Sequence, residues 1–397
     1  MINIEQLNSR PNLQDEFAYR QIGSITLQAE SVDVSASIEY VLNFFSDNPE
    51  MHAVPIERNG VLIGILEKSH VEKMNQSAWS RFWQKDLDSY IDTPLLSLRA
   101  DDYIDKNIER AMTLNNEKGV RFFAVYHRKS FFGIVGLHEM LTRITEIRAR
   151  DMAKARMVQQ HLLKPQEKPG KPGYAVQTFN QMANEVGGDF YKDFTFSDGE
   201  RHIVACFDVS GKNVAASLST MAIGSFFSAL TLFEPEGTFG KEITALMDRY
   251  IQTVTPSEMF ITAAICYIDT AKGSVFIQNC GHTPIYIFVP AEGGKIAGKT
   301  MNANMPPLGM GIIGDEDNAG FEIPIVKGLR IVLYTDGLTD MVTPDGERYD
   351  DERTRTLIAS TYGKGEREAA AIYQKAIDLW MNDAMQSDDI TVMDVRF

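Results

Sequence analysis

Cysteine is scarce in this chain of 397 residues: only Cys206, Cys266 and Cys280 occur, and no two have CxxC spacing. Neither a disulfide framework nor a thiolate zinc site is therefore expected, and a reducing, cytoplasmic setting suits the sequence best. Long apolar runs are also missing. Nothing approaches the roughly 18 consecutive apolar residues of a membrane span, and the opening stretch MINIEQLNSRPNLQDEF lacks an apolar signal-peptide core. A soluble protein without a membrane partner is expected. Basic residues are in deficit, with 39 Lys and Arg against 54 Asp and Glu. Without a basic stripe to neutralise phosphates, nucleic acid is not an expected partner. The imbalance is concentrated beyond residue 165, where 19 Lys and Arg face 32 Asp and Glu. Such a surplus either keeps a domain soluble or gathers divalent cations through oxygen ligands, and charge alone leaves both open.

What is present begins with a polar stretch, residues 1–20, read as a mobile or loosely docked tail. Residues 53–74, AVPIERNGVLIGILEKSHVEKM, are then echoed by residues 122–144, FFAVYHRKSFFGIVGLHEMLTRI, with Gly64 matching Gly133 at an offset of 69 residues. Each copy reads as strand, polar turn, strand and helix, and each follows a helical stretch, 36–47 or 102–115. The pair, over residues 21–145, resembles tandem CBS domains, regulatory modules that often bind adenine nucleotides between the copies. Where that family places a Ser or Thr and then an Asp, this chain has Glu67 to His70 and Gly136 to Glu139. By resemblance His70 and Glu139 are the candidate nucleotide-binding positions; the plain alternative for Glu139 is a solvated carboxylate in a helix first turn. Trp79 and Trp83, at i,i+4 spacing, read as a packing patch between the copies.

Residues 137–164 contain neither Gly nor Pro and predict one long helix. One register aligns Leu141, Ile144, Arg148, Asp151, Ala155, Val158 and Leu162, a seam apolar at its ends and charged in its middle. That pattern fits a weak coiled coil, and so a homodimer, or an amphipathic helix lying on its own domain. The Pro, Gly and Lys-rich run over 165–173 ends the helix and marks the clearest boundary.

Beyond it, residues 174–397 show nine apolar or alternating runs, at 174–179, 189–196, 202–208, 259–269, 274–279, 285–289, 320–325, 329–334 and 390–396. Helical stretches lie at 213–230, 241–254 and 366–384. Strands in series with segregated helices predict antiparallel sheets and an α+β fold. Four acidic positions fall at strand ends or tight turns: Asp189 in NEVGGDFYKDF, Asp208 in VACFDVSGKNVAAS, Asp336 in IVLYTDGLTD, and Asp388 beside Asp389 in QSDDITVMDVRF. Singly each reads as a capping or turn residue; together they fit hard-cation ligands held on rigid strand ends.

The ordered set GGDFY, DVSGKNVAAS, NCGHTPIYIF, PPLGM, YTDGLTDMVTPDGERY and SDDITVMDVRF resembles the SpoIIE-like branch of the metal-dependent type 2C (PPM) serine/threonine protein phosphatases. The resemblance implies an α-β-β-α sandwich of two antiparallel sheets flanked by helices, with two manganese or magnesium ions at one edge. It also implies that Asp208 bridges the ions, that the Val209 carbonyl adds a ligand, and that Asp336 and Asp388 complete one shell. Asp189 would serve directly or through water, and Asp208 and Asp336 would be the catalytic pair. Gly188, Gly337 and Asp389 are expected to support these ligands, Asp389 by orienting Asp388. His282 reads either as a turn and packing residue or as a general acid. No arginine lies in 179–186, so the phosphate would rest largely on the ions. Departures from the family pattern are Met182, Asn213, Ala215 and Asp340, none of them a metal ligand.

The implied activity is hydrolysis of phosphoserine or phosphothreonine on a protein, with a phosphorylated STAS-type anti-anti-sigma protein as a candidate partner and the repeat as its sensor. A phosphoprotein-binding scaffold without catalysis and a small-metabolite phosphatase are the alternatives left open.

Overall fold

The computed structural model describes residues 16–75, 87, 91, 96–164, 173–211, 214–234, 238–256, 258–291, 293, 296–313 and 319–397. Trp79, Trp83, Asn213 and most of the 165–173 linker lie outside these. The chain divides into two compact units, residues 1–151 and 152–397.

The first unit repeats one motif. Copy one comprises β1 (Val32–Asp33), α1 (Ile38–Asp47), β2 (Ala53–Arg58), β3 (Val61–Glu67) and α2 (Lys68–Asn75). Copy two comprises β4 (Ser97–Arg99), α3 (Ile104–Lys118), β5 (Phe122–His127), β6 (Ser130–Gly136) and α4 (Leu137–Leu163). In each, a short parallel strand joins an antiparallel hairpin to make a three-stranded sheet. The ladders break at the same place, after Ile56 in one copy and after Val125 in the other, with Gly64 and Gly133 opposite. Both hairpins turn through two residues at positive φ, Asn59-Gly60 and Arg128-Lys129. Asn-Gly suits such a tight hairpin turn, whereas the second copy forces two cationic side chains into it. At Gly133 a Cβ would lie 2.2 Å from the Leu27 carbonyl oxygen, which explains the glycine of the second copy.

The end of the polar tail is docked on α4. The Tyr19 ring lies 4.0 Å from the guanidinium carbons of both Arg143 and Arg150, and Arg20 donates to both carboxylate oxygens of Asp151 at 2.5 and 2.6 Å. The charged middle of α4 thus serves this segment. Met140, Ile144 and Ile147 enter the first unit's core, and Leu163 enters a core of the second, while Leu141 and Val158 of the expected seam are 36% and 48% exposed.

The second unit is a sandwich. Its strands are β7 (Ala175–Gln181), β8 (Asp189–Thr195), β9 (Arg201–Val209), β10 (Ile261–Asp269), β11 (Ser274–Cys280), β12 (Ile285–Pro290), β13 (Ile296–Met301), β14 (Phe321–Pro324), β15 (Arg330–Tyr334) and β16 (Ile390–Arg396). Its helices are α5 (Val214–Leu232), α6 (Lys241–Val254), α7 (Asp350–Ser360) and α8 (Glu366–Met381). Two antiparallel sheets form, in the orders β14-β11-β10-β9-β8 and β13-β12-β15-β16-β7.

Side-chain alternation separates three cores. Ile203, Ala205, Phe207 and Val209 on β9 pack with Phe226 and Phe227 of α5 and Met247 of α6. Val204 and Cys206, on its other face, meet Ile331, Leu333, Met393 and Val395 of the second sheet. Val332, Tyr334 and Val392 turn outward to Leu357 and Ile358 of α7 and Tyr373 and Ile377 of α8. By length and composition Ala215–Leu232 of α5 is apolar enough to cross a bilayer. The wholly apolar run sought in the sequence overlooks it because Ser and Thr interrupt it, and half of it is buried inside the fold.

Candidate metal centre

The same alternation fixes where the acids point. Asp208 shares the inter-sheet face with Val204 and Cys206, and Asp189 lies opposite in face to Phe190 of the helix-side core. Asp189 and Asp208 are direct partners in the β8–β9 ladder. From the second sheet, Thr335 follows Tyr334 of β15 and Thr391 lies on β16; both hydroxyls donate to Asp189 Oδ2, at 2.8 and 2.6 Å. One carboxylate oxygen therefore ties the two sheets together.

Asp389 holds the turn before β8. Its carboxylate accepts from the backbone N–H of Gly188 at 2.7 Å and of Ala183 at 2.8 Å, while its own N–H donates to Asp388 Oδ1 at 2.9 Å. The segments approach so closely that only glycine fits. A Cβ at Gly187 would lie 2.4 Å from Asp389 Oδ2, and one at Gly337 would lie 2.0 Å from the Asp389 carbonyl oxygen. Gly188 accepts from the Val209 N–H at 3.2 Å. Asp336 opens a single 3-10 turn, its carbonyl accepting from Thr339 and Asp340 at 2.9 and 2.8 Å. Asp189, Asp208 and Asp389 are thus drawn together, with Asp388 and Gly337 attached through Asp389.

Burial first, and then the facing charge of Asp208, pushes the Asp189 carboxyl well above its ordinary range, against the two threonine hydroxyls that favour its ionised form. Burial also raises Asp389, opposed by its backbone donors. Buried like charges side by side are relieved by a cation, and an all-oxygen donor set suits a hard one such as magnesium or manganese. Among the described residues no three His, Cys, Asp or Glu side chains lie close enough together to enclose an ion. The donor chemistry fits; the full shell is not gathered.

Two groups of supporting residues were not singled out in the sequence. Thr335 and Thr391 sit beside or near chosen acids, and their inward strand register was the available signal. Gln159, on α4 and 2% exposed, accepts from the Gly187 N–H at 3.2 Å and donates to the Gly187 carbonyl at 2.8 Å and to Thr220 Oγ1 of α5 at 2.9 Å. No local motif marks it.

His282 is buried. Its Nδ1 lies 2.8 Å from Thr262 Oγ1, a hydroxyl 3.3 Å from the Asp208 carbonyl, and burial lowers its pKa to about 4. It is neutral at pH 7, behind the Asp208 backbone. Because the folded value lies below the unfolded value of about 6.5, its contribution is complete above pH 6.5 and is lost as pH falls towards 4, by ~3 kcal/mol in all. Urea unfolding at pH 7.5 and 4.5 is expected to show this acid loss in the wild type and a smaller one in His282→Gln; equal losses would rule it out.

In the first unit, Glu139 lines a cavity of about 520 Å3, whereas His70 is not among its lining residues. Its walls pair equivalent positions of the copies, His52 with Arg121, Glu67 with Gly136, Lys68 with Leu137, Ser69 with His138 and Glu72 with Leu141. Arg121 forms an ion pair with the buried Glu67 and donates to Ser69 at 2.8 Å.

Two facing antiparallel sheets with helices outside are the fold of type 2C (PP2C) phosphatase domains. The PP2C domain of SiaA from Pseudomonas aeruginosa has the same fold, with a TM-score of 0.52 and 17% identity over 64% of this chain and 98% of that one. Residues 198–397 match Stage II sporulation protein E (SpoIIE), and the chain belongs to that family. Protein IcfG of Synechocystis sp. (strain ATCC 27184 / PCC 6803 / Kazusa) is 27% identical over 275 residues, 62% of this chain and 41% of IcfG. The chain thus spans less than half of that relative's length. Phosphoserine phosphatase RsbU of Bacillus subtilis (strain 168) is 24% identical over 260 residues, 65% of this chain and 73% of RsbU. Phosphatases of the PP2C class use divalent metal ions.

Proposed function

We propose that this protein hydrolyses phosphoserine or phosphothreonine on a protein partner, using two manganese or magnesium ions at the Asp189–Asp208 edge. The observation that carries this reading is the ladder pairing of Asp189 with Asp208 under two hydroxyls from the opposite sheet, in a chain of the SpoIIE family. In this reading Asp208, the Val209 carbonyl, Asp336 and Asp388 would hold the ions, with Asp208 shared between them, and Asp189 would contribute directly or through water. Bound divalent cations supply positive charge for the transferring phosphoryl group and acidify water. The chain's own residues hold the ligands: Thr335 and Thr391 fix Asp189, and Asp389 fixes the glycine turn and Asp388. His282, neutral and buried, supports the Asp208 strand through Thr262 rather than donating a proton. A phosphorylated STAS-type protein is the candidate partner that the family resemblance implies. The test is release of phosphate from a phosphoserine protein, an aryl phosphate and small phosphorylated metabolites with manganese. Turnover of the protein substrate, stopped by chelator, is expected; a clear preference for metabolites would overturn the substrate class.

The same reading assigns regulation to the repeat, with an adenine nucleotide as its candidate ligand and a homodimer through α4 as a candidate assembly. Its support is Gln159, which lies on the helix shared by both units and clasps the turn before Asp189. In Gln159→Leu the Gly187 groups lose their buried partners, at ~1–3 kcal/mol each. The manganese concentration for half-maximal activity should rise at least about tenfold. An unchanged manganese profile would refute the coupling.

A further inference from the structure

We propose that a polar cavity of about 560 Å3 in the second unit, beside the turn that carries Asp189, receives the substrate segment flanking the phosphoserine and selects an acidic residue in it. This rests on the phosphoprotein reading above. Arg156, Gln160 and Lys164 line the cavity from α4 and its end, and Asn180, Gln181 and Asn184 line it from β7 and the loop that follows; the remaining lining is apolar or aromatic, and no carboxylate faces it. Beyond residue 165 the chain has 19 Lys and Arg against 32 Asp and Glu, and a wall with two cations and no acid lowers the repulsion an anionic side chain meets there. Arg156 meets Glu185 at 3.4 Å with both side chains 44% and 60% exposed, a contact weak enough for an incoming carboxylate to replace.

The four carboxamides suit a peptide backbone, since each offers both a donor and an acceptor. Gln181 is short of a partner. Its Nε2 donates to Gln386 Oε1 at 2.8 Å and its carbonyl accepts from Gln386 Nε2 at 2.9 Å, while its Oε1 is buried with no hydrogen-bond partner among the described residues. The cavity also shares its wall with the site, because Asn180 Nδ2 donates to Thr391 Oγ1 at 2.9 Å, and Thr391 holds Asp189 at 2.6 Å. The phosphate-side arginine missing from 179–186 is thereby offset by one on the helix, directed to the substrate's neighbouring acid.

The experiment uses the full chain with manganese and phosphoserine peptides that differ only in carrying Glu, Gln or Lys at flanking positions. Wild type is expected to show a kcat/KM for the Glu peptide roughly three- to tenfold above that for Gln, the size of a partly exposed charge-assisted contact. The ratio should fall towards one in Arg156→Gln/Lys164→Gln and favour Lys in Arg156→Glu/Lys164→Glu. Each ratio compares two substrates on one enzyme, so partial misfolding does not move it. A wild-type ratio near one, or a ratio that survives in the double variant, would overturn the subsite. Hydrolysis of an aryl phosphate but of no phosphopeptide would instead remove the protein-substrate reading itself, and the subsite with it.

Discussion

Asp208→Asn is expected to abolish manganese-dependent turnover, lowering it on the order of 10^3-fold or more, well beyond the roughly 10 to 100-fold that an outer supporting group such as Thr335 contributes. The reason is charge as much as geometry. Asp208 faces Asp189 across one ladder position, and their joint negative charge is what a pair of divalent cations would neutralise. Removing one charge leaves the amide isosteric but a poor bridge between cations. The same substitution relieves repulsion, since Asp208 contributes to the raised pKa of Asp189. The metal-free variant should therefore unfold at the same or a higher urea concentration than wild type. Loss of activity together with loss of stability would point to a structural role, and retained activity would remove Asp208 from the mechanism. Phosphate release and urea unfolding on the same preparations separate these outcomes.

Asp394→Ala is expected to destabilise the second unit by ~3–5 kcal/mol, because it strands a buried guanidinium. Arg330 is 2% exposed and donates to Asp394 Oδ1 at 2.8 Å, to the Ile358 carbonyl at 2.9 Å and to Thr361 Oγ1 at 2.7 Å, with its guanidinium carbon 5.2 Å from the Phe288 ring centre. It therefore binds the C-terminal turn of α7 to β15 and β16. Replacing both partners, as Arg330→Met/Asp394→Leu, removes the fully buried guanidinium together with its carboxylate, leaving only the more exposed Arg396 without its share of Asp394, and should recover much of the loss. Urea midpoints of the single and double variants decide the matter. A double variant as unstable as the single one would show that the hydrogen bonds to α7, rather than the unpaired charge, dominate.

The strand ends that carry the acids were legible because they bound strong strand patterns. Asp189 and Asp208 lie on strands whose register decides which face they join, Asp336 and Asp388 lie just beyond strand ends, and β16 and α6 fall at the residues expected, Ile390–Arg396 and Lys241–Val254. The repeat at an offset of 69 residues was legible for a similar reason, since the bulges and glycines recur in both copies. β13 was not foreseen. Its sequence IAGKTM is almost wholly exposed and is held by its ladder to β12, so it carries no alternation to detect. α7 was missed because DDERTRTLIAS buries only Thr354, Leu357 and Ile358, too little to mark a face. Gln159 illustrates a deeper limit: it reaches Gly187 and Thr220 across 28 and 61 residues of sequence, and such a bond exists only once the tertiary fold brings them together.

Calorimetric titration with manganese tests the metal centre most directly. The account predicts two bound ions per chain in the wild type and loss of at least one in Asp208→Asn, with binding in Thr335→Val weakened roughly 10 to 100-fold. A wild-type chain that binds no manganese, or an Asp208→Asn variant that binds it with unchanged stoichiometry and affinity, would contradict it.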